Sequence, residues 1–572
     1  MTRRIETDVL VIGGGGAGAR AALAADDAGS RCVLLTKGPV AHSGATPMAC
    51  PSYQATAMGV AGDTVAQAFE DTMAEGRGLA DEPLALAMVA EAGERARDLE
   101  RYGVRFRRDG ERFLQVTHPG QSHPRNLVIK GAGYSMMFHL RRELERRTGV
   151  ALVEDAMVTT LAVRDGRVVG AVAVDLHDGS LIEVAAHAVV LATGGYPELW
   201  WQTDTTPELT GDGQALALWA GAELVDLEMM LWYPTCLTSP EEIVGTLVQY
   251  EGLITPEYCG GKLLNGLGRE FLPPGRPPVR DVMMKLMFTE IDEGRATASG
   301  GLAIDLAASP KPMSEIRRLL RRLDSLPYRN LADLGIDIAT EPIEVAPATH
   351  FTIGGVRIDE WGRTSVPGLY ACGEAAGNAH GANRTSGNAL AETQVYGQRA
   401  GRVAAEEAAD GPHAELDVEL QREADRVAGL LAPGPGCIRP RLVKQRLKHV
   451  VHTGLGHRRD ESGMRAAVAS IVELRSEMLP RVRASTGQGF MYELQEALEV
   501  RAMLDLAEAV ALSAIERTES RGHHWRTDFP EATPGSAYHT SVVAERDRLR
   551  VGRQPVLRLT APVGAKASSH VV

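Results

Sequence analysis

A chain of 572 residues is longer than one hydrophobic core can serve, so about three or four domains are expected. Its net charge of −13 excludes the basic face that nucleic acid requires. No apolar run approaches the roughly 18–20 residues that span a bilayer. The twin arginines of Met1-Thr2-Arg3-Arg4 suggest an export signal, but Glu6 and Asp8 interrupt any apolar core. The segment therefore reads as a buried first strand and the protein as cytoplasmic. Cys32, Cys50, Cys236, Cys259, Cys372 and Cys437 form no C-x-x-C pair, so no iron–sulfur cluster is expected within this chain, and a reducing compartment suits them.

In chain order, Asp8 to Ile12 reads as a short strand, Gly13 to Gly18 as a loop, Ala19 to Ala28 as a small-residue helix and Cys32 to Leu35 as a second strand. That is a βαβ opening. Strand patterning recurs at Arg167 to Val174 and at Ala188 to Ala192, which ends in Thr193-Gly194-Gly195. From about 236 to 345 prolines and polar turns mark an inserted domain. Strands return at His350 to Ile358 and Gly368 to Cys372, and long amphipathic helices, Met491 to Arg517 among them, fill about 415 to 520. The last 40 or so residues look irregular, with one short strand allowed at Pro555 to Leu559.

Gly13-x-Gly15-x-x-Gly18 has the setting a dinucleotide loop needs, between a buried strand and a helix whose free N–H groups can meet a pyrophosphate. The second strand ends in Thr36-Lys37 rather than in an acid, which leaves the Thr36 hydroxyl for the ribose. Leu191 to Tyr196 and Val366 to Glu374, far apart in sequence, both end strands in glycine turns. Such a discontinuous site indicates FAD rather than NAD, with Glu374 on a cofactor hydroxyl.

These segments, together with Thr210-Gly-Asp-Gly213, Gly221 to Glu228, His350-Phe-Thr-Ile-Gly-Gly355, His380 to Leu390 and Arg517 to His523, resemble the fumarate reductase, succinate dehydrogenase and L-aspartate oxidase family over about residues 5 to 530. The resemblance implies an α/β fold: a split Rossmann-like FAD-binding domain (1–235 and 346–412), an inserted α+β capping domain (236–345), a C-terminal helical domain (413–530) and a tail (531–572). It also places Lys37, Ser43, Gly44, Thr193, Gly194, Asp212, Asn388, Ala389 and Leu390 on the cofactor. Gly44 stands where covalent family members carry the histidine of Ser-His-Thr, so the FAD is expected to be non-covalent, with His42 the nearest alternative attachment point.

Interconverting succinate and fumarate moves a hydride between carbon and flavin N5 and a proton on the neighbouring carbon, so basic groups must converge on the flavin. Arg280, in Pro277-Pro-Val-Arg-Asp281, matches the family's proton-delivering arginine; a helix-start arginine paired with Asp281 is the plainer alternative, and Arg276 a weaker candidate. His350 and Arg384 match its carboxylate ligands, and Glu251 its active-site glutamate. Tyr233 replaces the histidine before Pro-Thr, and Tyr250 the threonine before Glu-Gly, leaving a phenol as the donor at one end of the site. Unmodified succinate and fumarate are then expected to be poor substrates. The implied partners are a small carboxylic acid and either an iron–sulfur electron-transfer subunit or a soluble carrier; the basic stretch Arg439 to Lys448 offers a docking face or a solvated one. An L-aspartate oxidase-like or specialised-pathway enzyme, and a non-catalytic FAD-binding assembly component, are the competing readings.

Overall fold

The computed structural model describes residues 3–560 apart from 324–325, 409–410, 488, 534, 536 and 547. The first strand, Arg3–Ile12, starts earlier than its apolar run suggests, because Arg3 to Thr7 continue pairing with Ile182 to Ala186. Val9 to Ile12 lie between two parallel neighbours, Cys32–Leu35 and Leu181–Leu191, and a strand buried on both faces reads as an unbroken apolar run. The seven-stranded sheet continues to Val150–Val153 on one side, and to antiparallel Arg167–Asp175 and Ala156–Arg164 on the other. Leu369–Ala371 joins it parallel to Val189–Leu191, so a late segment completes the sheet that the N-terminus begins.

The first helix, Gly16–Asp27, starts three residues before its alanine-rich stretch. Its small buried face packs against the Asn388–Glu406 helix. That contact brings the N-termini of both helices to the same edge of the sheet.

Strands Met230–Leu237 and Ile343–Thr352 run through the expected boundaries at 236 and 345 and pair antiparallel as the neck of the insertion. Leu302–Asp305 and Lys262–Leu264 extend them to a four-stranded sheet. Its apolar side chains form a second core, separate from that of the main sheet. The helical region comprises Asp417–Leu431, Pro440–Gly454, Glu461–Glu473 and Tyr492–Glu516. Within the basic stretch, Lys444 and Lys448 pair with Glu499 and Glu198, so part of that face is turned inward. No helix among the described residues is long and apolar enough to cross a membrane.

The tail departs from the sequence reading. Tyr538–Glu545 and Arg548–Pro555 form a hairpin that pairs through Leu224–Val225 with Gly355–Val356. The expected strand at Pro555 to Leu559 is thus displaced: Pro555 ends the second arm. Charged residues at the turn and in the second arm mask the alternation of Thr540, Val542, Leu549 and Val551.

Buried charges dock this hairpin. His539 lies between Asp81 (3.1 Å) and Asp226, and Arg517 binds Asp226 and Glu228 with no solvent exposure. Burial alone lowers the basicity of His539, but Asp226 and Asp81 outweigh it and hold the imidazole up at about 9. Because the unfolded imidazole titrates near 6.5, this interaction stabilises the fold fully below about pH 6.5 and is lost as pH rises through about 9. Its size is on the order of 3 kcal/mol. Calorimetry between pH 6.5 and 9.5 should show the wild-type Tm falling over that window; in His539→Gln the Tm should start lower and vary less.

Candidate active site

One cavity of about 900 Å³ runs from the glycine loop to the neck of the capping domain. At its first end Gly13, Gly15 and the start of the Gly16–Asp27 helix form one wall. Gly18 does different work: a Cβ there would lie 1.8 Å from the Gly13 carbonyl oxygen, so the residue lets the helix close onto the strand. Thr193 and Gly194 form the opposite wall. The Thr193 hydroxyl is buried without a partner, as are both polar atoms of the Asn388 amide at the start of the Asn388–Glu406 helix. Buried polar atoms are rarely left unpaired. Ala389 and Leu390, in the same first turn, line the cavity.

Glu374 accepts from the Thr352 backbone N–H (2.9 Å) and hydroxyl (3.1 Å), while burial pushes its carboxyl up to about 7. A Cβ at Gly195 would stand 2.3 Å from the Glu374 carboxylate, so only glycine leaves room for that side chain at the cavity wall. Thr36 lines the cavity but donates its hydroxyl proton to the Gly38 carbonyl (2.9 Å), which leaves its lone pairs as acceptors. The Lys37 ammonium is enclosed by Asp212 (2.9 Å), Glu499 (2.8 Å), Thr210 and the Glu208 carbonyl. It therefore ties the Asp212–Trp219 helix to the helical domain and holds Asp212 at the cavity wall. Ser43 and Gly44 line the same end, with Ser43 donating to the Pro39 carbonyl. Glycine-walled space, two helix N-termini and an unpartnered hydroxyl suit a long, phosphate-bearing cofactor such as FAD.

At the far end Tyr233, Arg280, His350, Phe351 and Arg384 line the cavity together. Arg280 opens the Arg280–Asp292 helix and is 8% exposed. Its Nη2 donates to Ser386 Oγ (3.1 Å) and Glu251 Oε1 (3.3 Å), and its Nη1 is buried without a partner. The plainer pairing with Asp281 does not occur, because Arg77 takes both carboxylate oxygens of Asp281, at 2.8 and 2.9 Å. Arg276 lies on the surface against Glu257. Burial disfavours the charged guanidinium of Arg280, but Glu251 reverses the effect and keeps it cationic. Burial likewise opposes ionisation of Glu251, yet His118 and Arg280 prevail and hold its carboxyl down at about 2.

His350 is oriented by Asp204, whose carboxylate oxygens lie 2.8 and 3.1 Å from Nδ1. Arg384 stacks over Phe351 at 4.7 Å and donates one bond, from Nη1 to the Thr385 carbonyl. Its Nε has no partner, and no carboxylate of the described residues forms an ion pair with it. Burial and then neighbouring Arg280 lower it to about 9, so it stays charged at neutral pH.

Two features differ from the sequence reading. The Tyr233 hydroxyl donates to Glu251 (2.9 Å), so it is not the free donor expected there; its ring lies beneath Arg280 and beside His350. Glu251 and Tyr250 stand behind the cavity wall rather than on it. The sequence reading also misses Asp204, His118, Ser386 and Phe351. Asp204 sits in Thr203-Asp-Thr-Thr and His118 in Thr117-His-Pro-Gly, patterns whose only local signal is a turn.

Gly44 lines the cavity at φ +77° with nothing within 4 Å of an added Cβ, and it carries no nucleophile; His42 is exposed and does not line the cavity. Acid precipitation should release the yellow cofactor into the supernatant, whereas flavin fluorescence retained by the denatured band would show a covalent bond.

The FAD binding domain family model matches residues 8–390, and the fumarate reductase flavoprotein C-terminal model matches residues 444–565. A CoM/CoB fumarate reductase flavoprotein chain of Methanothermobacter marburgensis is 38% identical, with 92% of this chain and 95% of that protein covered. An L-aspartate oxidase of Streptomyces coelicolor is 33% identical, with 92% and 89% covered. Among solved structures, a quinol–fumarate reductase with menaquinol molecules superposes with a TM-score of 0.86 at 27% identity, covering 98% of this chain and 100% of that one. The chain belongs to the fumarate reductase and succinate dehydrogenase flavoprotein family and is an FAD-dependent oxidoreductase acting on CH–CH bonds.

Proposed function

We propose that the enzyme interconverts a saturated and an α,β-unsaturated small carboxylic acid, with His350 and Arg384 gripping one carboxylate and Arg280 exchanging the proton. The observation that carries this reading is Arg384, a buried guanidinium without an acid partner, in the cavity that also holds the glycine loop. A carboxylate there satisfies the bidentate fork and relieves the cost of an isolated buried charge. When bound, FAD supplies the hydride exchange with carbon.

The protein's own groups do the rest. Asp204 fixes the ring of His350, which leaves the other nitrogen for the substrate. The charges of Arg384 and His350 draw electron density toward the gripped carboxylate and acidify the carbon beside it. Arg280, with Nη1 free and Nη2 held by Ser386 and Glu251, is placed to give or take the proton at that carbon. Val244 to Leu247 and Leu326 to Asn330 wall the cavity from the capping side and limit water.

Beyond the clamp, the substrate's other end meets uncharged Thr246 and Gln249 on the cavity wall, since the Tyr233 proton goes to Glu251. Losing one charge-assisted hydrogen bond costs about 1.5–3 kcal/mol, or roughly ten- to a hundredfold in affinity. The preferred acid therefore carries a neutral group at that end, and L-aspartate, an oxidase substrate by the name of one relative, remains a dicarboxylate in the comparison. The chain's six cysteines are free, and several relatives are named as flavoprotein subunits. Electrons are accordingly proposed to leave through a partner protein.

An anaerobic panel of succinate, fumarate, L-aspartate and their mono-amide or longer analogues should change the flavin's visible absorbance. The acids with a neutral far end should show kcat/KM about ten- to a hundredfold above the plain dicarboxylates. No response to any member would overturn the reading. Arg280→Ala should lower turnover by about 10² to 10⁴ while FAD stays bound; a loss of less than about threefold would return Arg280 to a structural role.

A further inference from the structure

Glu251 has a second neighbour besides Arg280, and that neighbour leads back toward the cavity. His118 lies in the loop after the short Gln115–Val116 strand and is 8% exposed. Its Nδ1 faces Glu251 Oε1 at 3.6 Å, and its Nε2 is 3.0 Å from Ser52 Oγ. Ser52, on the Ser52–Gln54 strand, is half-buried and lines the cavity. The loop is held in place by a bond from the His118 backbone N–H to the Gln121 side chain (3.0 Å), which leaves the imidazole free for another purpose.

A histidine kept only for packing has both ring nitrogens satisfied. Here Nδ1 is buried with no hydrogen-bond partner, roughly half an ångström beyond bonding distance of an ionised carboxylate. Hydrogen bonds of this kind are often long without substrate and tighten when it binds. The tautomer with the proton on Nδ1 and with Nε2 accepting from Ser52 presents a donor to Glu251.

We propose that His118 and Ser52 extend the Arg280–Glu251 pair into a proton path, with His118 as the group that re-protonates Arg280 after each turnover. The proposal rests on the reading that Arg280 exchanges the substrate proton. In the reducing direction the C=C π bond breaks and two C–H bonds form. One takes a hydride from reduced FAD, and the other takes an N–H proton from Arg280. The guanidinium, left neutral, recovers its proton through the Glu251 carboxylate, which passes on the Nδ1 proton of His118. Ser52 and water at the cavity wall return a proton to the imidazole. Oxidation runs the same path backwards. Glu251 cannot itself store the proton, since its carboxyl is held down at about 2. Histidine is the side chain suited to hold and release one near neutral pH. His118 does not touch the reacting carbons, so it acts through Glu251 as a positioning and relay residue.

The test uses the full-length FAD-loaded enzyme, reduced viologen as electron donor and the acid that wild type turns over best. His118→Gln should lower kcat about 10²-fold and raise the solvent deuterium isotope effect. KM, FAD content, Tm and the rate at which viologen reduces the flavin, a step that protonates no carbon, should stay near wild type. Added imidazole should partly restore kcat in His118→Ala. A kcat in His118→Gln within about threefold of wild type with an unchanged isotope effect overturns the relay, as does a loss that follows FAD content or Tm. If wild type turns over no acid at all, the functional reading fails and the relay fails with it.

Discussion

A guanidinium in a dry interior needs an anion, and the far end of this cavity is built around one that lacks it. Moving a charge from water into protein costs several kcal/mol unless it is paired. Most buried arginines of this chain obey the rule: Arg125 has Asp63 and Asp71, and Arg517 has Asp226 and Glu228. Arg384 has an aromatic face, a carbonyl and an unpartnered Nε. The contrast within one molecule separates a stabilising arginine from one that waits for a ligand.

Arg280 presents the complementary case. Its acid, Glu251, is shared with Tyr233 and approached by His118, so the carboxylate serves three groups at once. An ion pair fully satisfied on both sides would hold the arginine as a structural link. Leaving Nη1 open keeps one N–H direction for chemistry. The same sharing explains a tyrosine where a histidine is expected: the phenol completes the shell of Glu251, and the ring supports the guanidinium from below.

The legible parts of the sequence are those whose signal is local. An apolar run followed by spaced glycines gives the first strand and loop, and Arg280, His350 and Arg384 sit in short, distinctive strings. Asp204, His118 and Ser52 are invisible for a physical reason. Each comes from a turn or short strand with no periodic pattern, and its partner belongs to a distant segment. The tail is misread because its strand alternation is diluted by arginines that point to solvent. The residue that docks it, His539, becomes meaningful only beside Asp81 and Asp226. Those same acids give a cause for two motifs, Gly221 to Glu228 and Arg517 to His523, which the sequence shows as separate strings and the fold joins in one charge cluster.

The helix that begins with Arg280 is held at both ends by contacts to other parts of the chain. Asp281 is gripped by Arg77 of the FAD-binding part. Asp292, in the last turn, meets His457 and Arg458 of the helical part at 3.0 Å each, and Phe288 stacks on the His457 ring at 3.6 Å between centroids. The capping domain also supplies Val244 to Leu247 and Leu326 to Asn330 to the cavity wall. Any opening wide enough to admit substrate past those segments loads the same contacts that place Arg280. The seal against water and the proton donor are thus parts of one body. Its closure brings the guanidinium to the carbon only when the cavity is shut, which is the condition under which a charged donor and an anionic substrate attract most strongly.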